Sequence, residues 1–101
     1  MDTKNLLAEA KARFSHNSAK AYLKEKYESK LLVAEQGGLW RADAQTISLL
    51  ETLCPTLVVL VDTFGNPIEV DRIGLLFKLR TVYDEVMREW HREWKVLESK
   101  R

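Results

Sequence analysis

The chain has 101 residues, 46% of them hydrophobic and 31% charged, with a formal net charge of +1. That balance excludes a disordered chain, which needs low hydrophobicity and high net charge. It also excludes a global field favouring nucleic acid or an anionic membrane. The length suits a single domain spanning 1–101, whose core has little margin because a chain of this size buries only roughly 60–70% of its unfolded surface.

In chain order, Thr3 to about Phe14 reads as a short helix, with Leu6, Ala10 and Phe14 on one face and Leu7 widening it. Ser15-His16-Asn17-Ser18 then interrupts the pattern, since these residue types cap helices better than they extend them. A second helix is expected from Asn17 or Ser18, with Tyr22, Leu23, Tyr27 and Leu31 along one side. Leu31 to Gln36 either continues that helix to a glycine cap or forms a strand. The strand is preferred, because Gly37-Gly38 suits a two-residue hairpin turn and gives Leu39-Trp40-Arg41-Ala42 a partner. Asp43 is an N-cap for a short helix to about Leu53, facing inward through Ile47 and Leu50, and Pro55 ends it.

Leu57-Val58-Val59-Leu60-Val61 is apolar on both faces and is expected to be a central strand covered on both sides. Asp62 to Pro67 is a turn segment, and Ile68-Glu69-Val70 returns as a strand. From Asp71 the chain reads as one long helix. Leu76, Tyr83, Trp90 and Leu97 recur every seven residues, and the apolar face is broad to Met87 and narrower beyond. The first half is expected to pack on the sheet and the second half to project, with ion pairs such as Asp84–Arg88 along its exposed side.

Chemistry is sparse. His91 has Met87, Arg88, Trp94 and Lys95 at helical ligand offsets, which makes no metal site. His16 is expected at the surface. No serine has a nucleophile context, and no Gly-x-Gly-x-x-Gly or Gly-Lys-Ser/Thr phosphate loop is present. Cys54 is alone, so an internal disulfide is excluded, and it is expected to be a small buried residue. No enzyme activity and no cofactor are expected. The opening Met1–Arg13 mixes charged and apolar residues, and no apolar run approaches the ~20 residues of a membrane span. An intracellular, cytoplasmic protein without a membrane or small-molecule partner is the expectation.

The aromatic surplus falls on Trp90 and Trp94, four residues apart on a helix of balanced charge. Large aromatics concentrate at interface hot spots. The candidate protein interface is therefore Tyr83, Val86, Met87, Trp90, Trp94 and Leu97. The alternative for the tryptophans is packing onto Phe14, Tyr22 or Tyr27. Residues 1–30 carry seven Lys/Arg against four Asp/Glu. Lys20, Lys24, Lys26 and Lys30 beside Tyr22 and Tyr27 are thus the candidate surface for a nucleic-acid-binding regulator. Glu25 and Glu28 weigh against it.

Lys24–Lys30 leading into Leu31-Leu32, then Gly37-Gly38-Leu39-Trp40-Arg41-Ala42, Asp62-Thr63-Phe64-Gly65-Asn66-Pro67-Ile68 and Val86-Met87-Arg88-Glu89-Trp90, follow one another over most of the chain, with no chemically specific motif among them. In that order the chain resembles small accessory proteins encoded by large contractile-tailed phages, including those of cyanobacteria. The resemblance implies an accessory or virion-associated protein that works through protein contacts, and it favours the hairpin at Gly37-Gly38. The expected fold is α+β: two N-terminal helices, a small mostly antiparallel sheet of two β-hairpins with a short helix between, and a long C-terminal helix. The expected function is a non-enzymatic protein–protein interaction module, self-associating as a homo-oligomer or docking on a larger assembly.

Overall fold

A computed structural model describes residues 3–100, with side chains from residue 7 onward. The fold is α+β. Its elements in order are α1 (Thr3–Ser29), β1 (Leu32–Glu35), β2 (Gly38–Arg41), α2 (Ala44–Thr52), β3 (Leu57–Val61), β4 (Pro67–Asp71) and α3 (Arg72–Ser99). β1 pairs with β2 and β3 with β4, giving two separate antiparallel two-stranded sheets.

One N-terminal helix replaces the expected two. α1 runs unbroken through Ser15-His16-Asn17-Ser18. Each of these residues costs only about 0.5 kcal/mol against alanine in a helix, and none is Gly or Pro. The segment is also held from outside, since the His16 ring reaches Glu98 of α3 at 3.2 Å. Leu6 of the expected first face lies outside the described side chains.

α1 and α3 lie side by side and antiparallel. His16 meets Glu98, Lys26 meets Glu93 at 2.8 Å, and Lys30 meets Glu89 at 3.4 Å. The second half of α3 therefore does not project alone; α1 covers one side of it. The pair forms a stalk, and the molecule measures 65 × 24 × 20 Å. Its radius of gyration is 19.3 Å, against about 13 Å for a compact chain of 100 residues.

The first hairpin is present, but its turn is Gln36-Gly37, one residue earlier than expected. Both residues have positive φ, 49° and 80°, as a tight hairpin turn of the primed kind requires. Gly38 is instead the first residue of β2, and its missing side chain has a different use. A Cβ there would lie 2.7 Å from the Trp40 ring and 2.9 Å from the Ile68 methyl. Gln36 tolerates its conformation because its side-chain amide is fixed at both ends. Its oxygen accepts the Asp71 N–H at 2.7 Å and its nitrogen donates to the Asp71 carbonyl at 3.1 Å. The turn of one hairpin is thereby tied to the end of the other.

α2 starts as expected. The Asp43 carboxylate accepts the Thr46 N–H at 2.8 Å, and Ile47 and Leu50 face inward. Past its end, the Arg72 guanidinium donates to the Leu50 and Pro55 carbonyls at 2.9 and 2.8 Å. Arg72 thus satisfies one of the carbonyls that a helix terminus leaves open. Cys54, expected to be buried, is exposed in this connection. Pro55 stops the helix and the chain turns outward before β3.

The core collects Tyr27 of α1, Val33 and Trp40 of the first hairpin, Leu50 of α2, Val70 of β4, and Leu75, Leu79 and Val86 of α3. The indole N–H of Trp40 donates to the Glu35 carbonyl at 2.8 Å, so this buried ring leaves no polar atom unsatisfied. β3 is not the central, two-sided strand its composition suggests. It has one strand neighbour, and only Val58 and Leu60 pack against the core. Leu57, Val59 and Val61 point the other way and are exposed.

Candidate protein interface

The six residues expected to form an interface divide into two groups. Val86 is buried, and Tyr83, Trp90 and Leu97 pack against the core. Trp90 stacks on Tyr27 with ring centroids 6.0 Å apart and planes at 10°. That stack joins α1 to α3. Trp94 is exposed, while Tyr83 and Met87 are half-buried. Their spacing of four and seven residues places Tyr83, Met87 and Trp94 on one flank of α3. Trp94 is steadied by His91, whose ring stacks against it at 6.0 Å.

A polar cluster locks the stalk beside the Trp90–Tyr27 stack. Glu93 Oε1 accepts from Lys26 Nζ at 2.8 Å and from the Tyr27 hydroxyl. The Lys30 ammonium sits 4.9 Å from the Tyr27 ring centre, within cation–π range. Lys26, and then the Tyr27 hydroxyl, holds the Glu93 carboxyl below the usual range. The bond to Glu93 raises both Lys26 and Tyr27. Sequence patterning missed this cluster, because Glu93 sits at an otherwise apolar heptad position whose partners are more than 60 residues away.

The four lysines expected to form a basic surface are largely engaged with carboxylates. Lys26 pairs with Glu93, Lys30 with Glu89, and Lys24 approaches Glu28 at 4.0 Å. A phosphate backbone would have to compete with all three.

Asp62 is the other organising charge. Buried at the end of β3, it accepts the N–H groups of Phe64 and Asn66 on one oxygen, both at 3.0 Å. The Leu39 N–H reaches the other at 3.2 Å. The Asn66 bond, helped by those of Leu39 and Phe64, holds its carboxyl below the usual range against the opposing effect of burial. Asp62 both shapes its own turn and fastens it to β2. A group whose folded pKa is depressed contributes stability above its unfolded pKa, and that contribution is lost as pH falls through the folded value. Asp62 and Glu93 share that sign. The thermal midpoint is therefore expected to hold level from neutrality to about pH 5 and to fall below about pH 4. Asp62→Asn removes part of that acid slope, as calorimetry from neutral to acid pH will read.

Among the described residues no three His, Cys, Asp or Glu side chains converge as a metal site, and no helix is long and apolar enough to cross a membrane. Compared with protein-family models, curated proteins and solved structures, the chain matches none.

Proposed function

We propose that this chain is a non-enzymatic protein–protein interaction module that associates with copies of itself or docks on a larger assembly, such as a phage accessory or virion-associated structure. The observation that carries the reading is unspent apolar surface on an elongated body. The chain exposes 7407 Å², whereas a compact chain of 11.7 kDa exposes about 5,900 Å². The excess, roughly 1,500 Å², is on the scale that subunits of permanent complexes bury. Large hydrophobic side chains lie open along the whole length, among them Phe14 and Tyr22 on α1, Val59 on β3 and Phe77 on α3.

Of the expected residues on α3, the surface available to a partner is Trp94 and the open side of Met87, with the core-packed Tyr83 at its edge. Val86, Trp90 and Leu97 stand behind it and set its shape. The nucleic-acid alternative has less support, because three of its four lysines are paired with carboxylates. If this flank makes the contact, Trp94→Ala weakens association at least tenfold with an unchanged far-ultraviolet circular dichroism spectrum. Analytical ultracentrifugation measures the first. Unchanged association would remove this flank from the interface.

A further inference from the structure

The second hairpin carries an association surface that the helical reading does not include. β3 reads Leu-Val-Val-Leu-Val, and of the four described strands it alone has no charge, proline or glycine. Its register with β4 runs without a bulge from Leu57↔Asp71 to Val61↔Pro67. Strand edges in monomeric proteins are blunted by charges, prolines or bulges, because an open edge pairs with other chains. β4 has such devices in Pro67, Glu69 and Asp71; β3 has none.

β3 has a single strand neighbour, so its second edge is open. The chain rejoins β2 only beyond the strand, where the Thr63 N–H donates to the Leu39 carbonyl at 3.0 Å. That edge opens onto a cleft walled by Arg41 of β2 and Leu49 of α2, and Leu49 is itself exposed. On the outer face, Leu57, Val59 and Val61 are 58%, 62% and 67% exposed. Burial of an alternating apolar row is what gives a strand its fixed register, yet this row has nothing over it.

The charges decide which occupant and which geometry fit. On the outer face the apolar row of β3 stands beside Asp71, Glu69 and Pro67 of β4. Stacking two such faces would set carboxylates against carboxylates or against aliphatic side chains. Joining two copies edge to edge through β3 does neither. The two apolar rows become neighbours, and the acidic rows fall on the outermost strands, about 14 Å apart at the usual strand spacing. That separation exceeds the ~8 Å screening length at physiological salt.

We propose that a second copy of this chain docks on β3, the two β3 strands pairing antiparallel across a two-fold axis near Val59 to form a four-stranded β4-β3-β3-β4 sheet. The proposal rests on the self-association reading but places it on a different surface. The pairing is self-complementary and uses up both open edges, so it closes at two copies.

The test compares wild type, Val59→Lys, Val59→Thr and Trp94→Ala by light scattering over a hundredfold concentration range. Val59→Lys is made in a Glu69→Gln background, because Glu69 is its cross-strand neighbour; it then sets two ammonium groups opposite each other at the two-fold and is expected to weaken the dimer at least tenfold. Val59→Thr keeps a β-branched, uncharged side chain and is expected to stay dimeric. A dimeric Val59→Lys variant overturns the β3 proposal, and if Trp94→Ala is then monomeric the helical reading survives alone. A wild-type monomer at every concentration overturns the β3 pairing and self-association, leaving docking on a larger assembly, and a polydisperse assembly overturns the closed pairing. Should Val59→Lys fail to fold, hydrogen exchange of residues 57–61 in the wild type decides instead. Protection that rises with protein concentration supports the pairing, and protection independent of concentration refutes it.

Discussion

Replacing Trp40 with alanine is expected to lower the unfolding free energy by about 3–5 kcal/mol, the cost of truncating a buried Trp or Phe. Three links converge on this ring. It is 3% exposed at the centre of the core, its N–H is bonded to the Glu35 carbonyl, and Gly38 has no side chain so that the ring can lie against the backbone. Truncation removes the apolar contact, leaves a cavity that the two small sheets cannot readily close, and frees a carbonyl. A domain of this size is worth only about 5–15 kcal/mol in total. The variant should therefore unfold at a markedly lower urea concentration, and a midpoint close to wild type would place Trp40 at the surface.

The second large effect lies on α3 and comes as a contrasted pair. Leu79→Ala is expected to cost about 2–5 kcal/mol, because Leu79 is fully buried beside Leu75 in the core. Phe77→Ala, two residues earlier, is expected to change stability by no more than about 0.5 kcal/mol, since Phe77 is 74% exposed. Both residues are large and apolar, so hydrophobicity alone predicts similar losses. Only the rotation of the helix separates them. Chemical denaturation of the two variants reads that rotation directly, and equal losses would contradict the packing of α3 described here.

What the sequence made legible was local. Asp43 and Pro55 bracket a helix because capping and proline chemistry act within four residues. The apolar period of residues 72–99 gave the long helix for the same reason. Asp84 and Arg88 pair across one turn at 3.1 Å, as their spacing requires. The first hairpin was legible in kind, but its turn was not, because either Gln36-Gly37 or Gly37-Gly38 suits a primed turn. The choice is made by contacts distant in sequence: the Trp40 ring and the Ile68 methyl leave no room for a side chain at residue 38, and Asp71 holds Gln36. The same holds for Ser15-His16-Asn17-Ser18. Its weak helical preference is a fraction of a kcal/mol per residue and yields to docking along α3.

The candidate interface was legible only as a surplus. Trp90 and Trp94 stand out in composition, but which of them faces solvent depends on the path of α1, and α1 was read as two helices. Once it is continuous, Tyr27 meets Trp90 and leaves Trp94 outside. β3 was misread for a related reason. A strand apolar on both faces implies cover on both faces, and a 101-residue chain supplies only one. The composition of β3 matches a buried strand, and in the proposed pairing a second copy occupies its open edge and sets the two outward apolar rows side by side.

The central claim is that this chain works by association with its own copy. Its most direct test is the wild-type mass in solution, by size-exclusion chromatography with light scattering at low and high salt. The expected mass is twice the 11.7 kDa of the chain. It should persist at high salt, because the contact is apolar and screening does not weaken it. A mass of one chain at every concentration and salt would contradict the account.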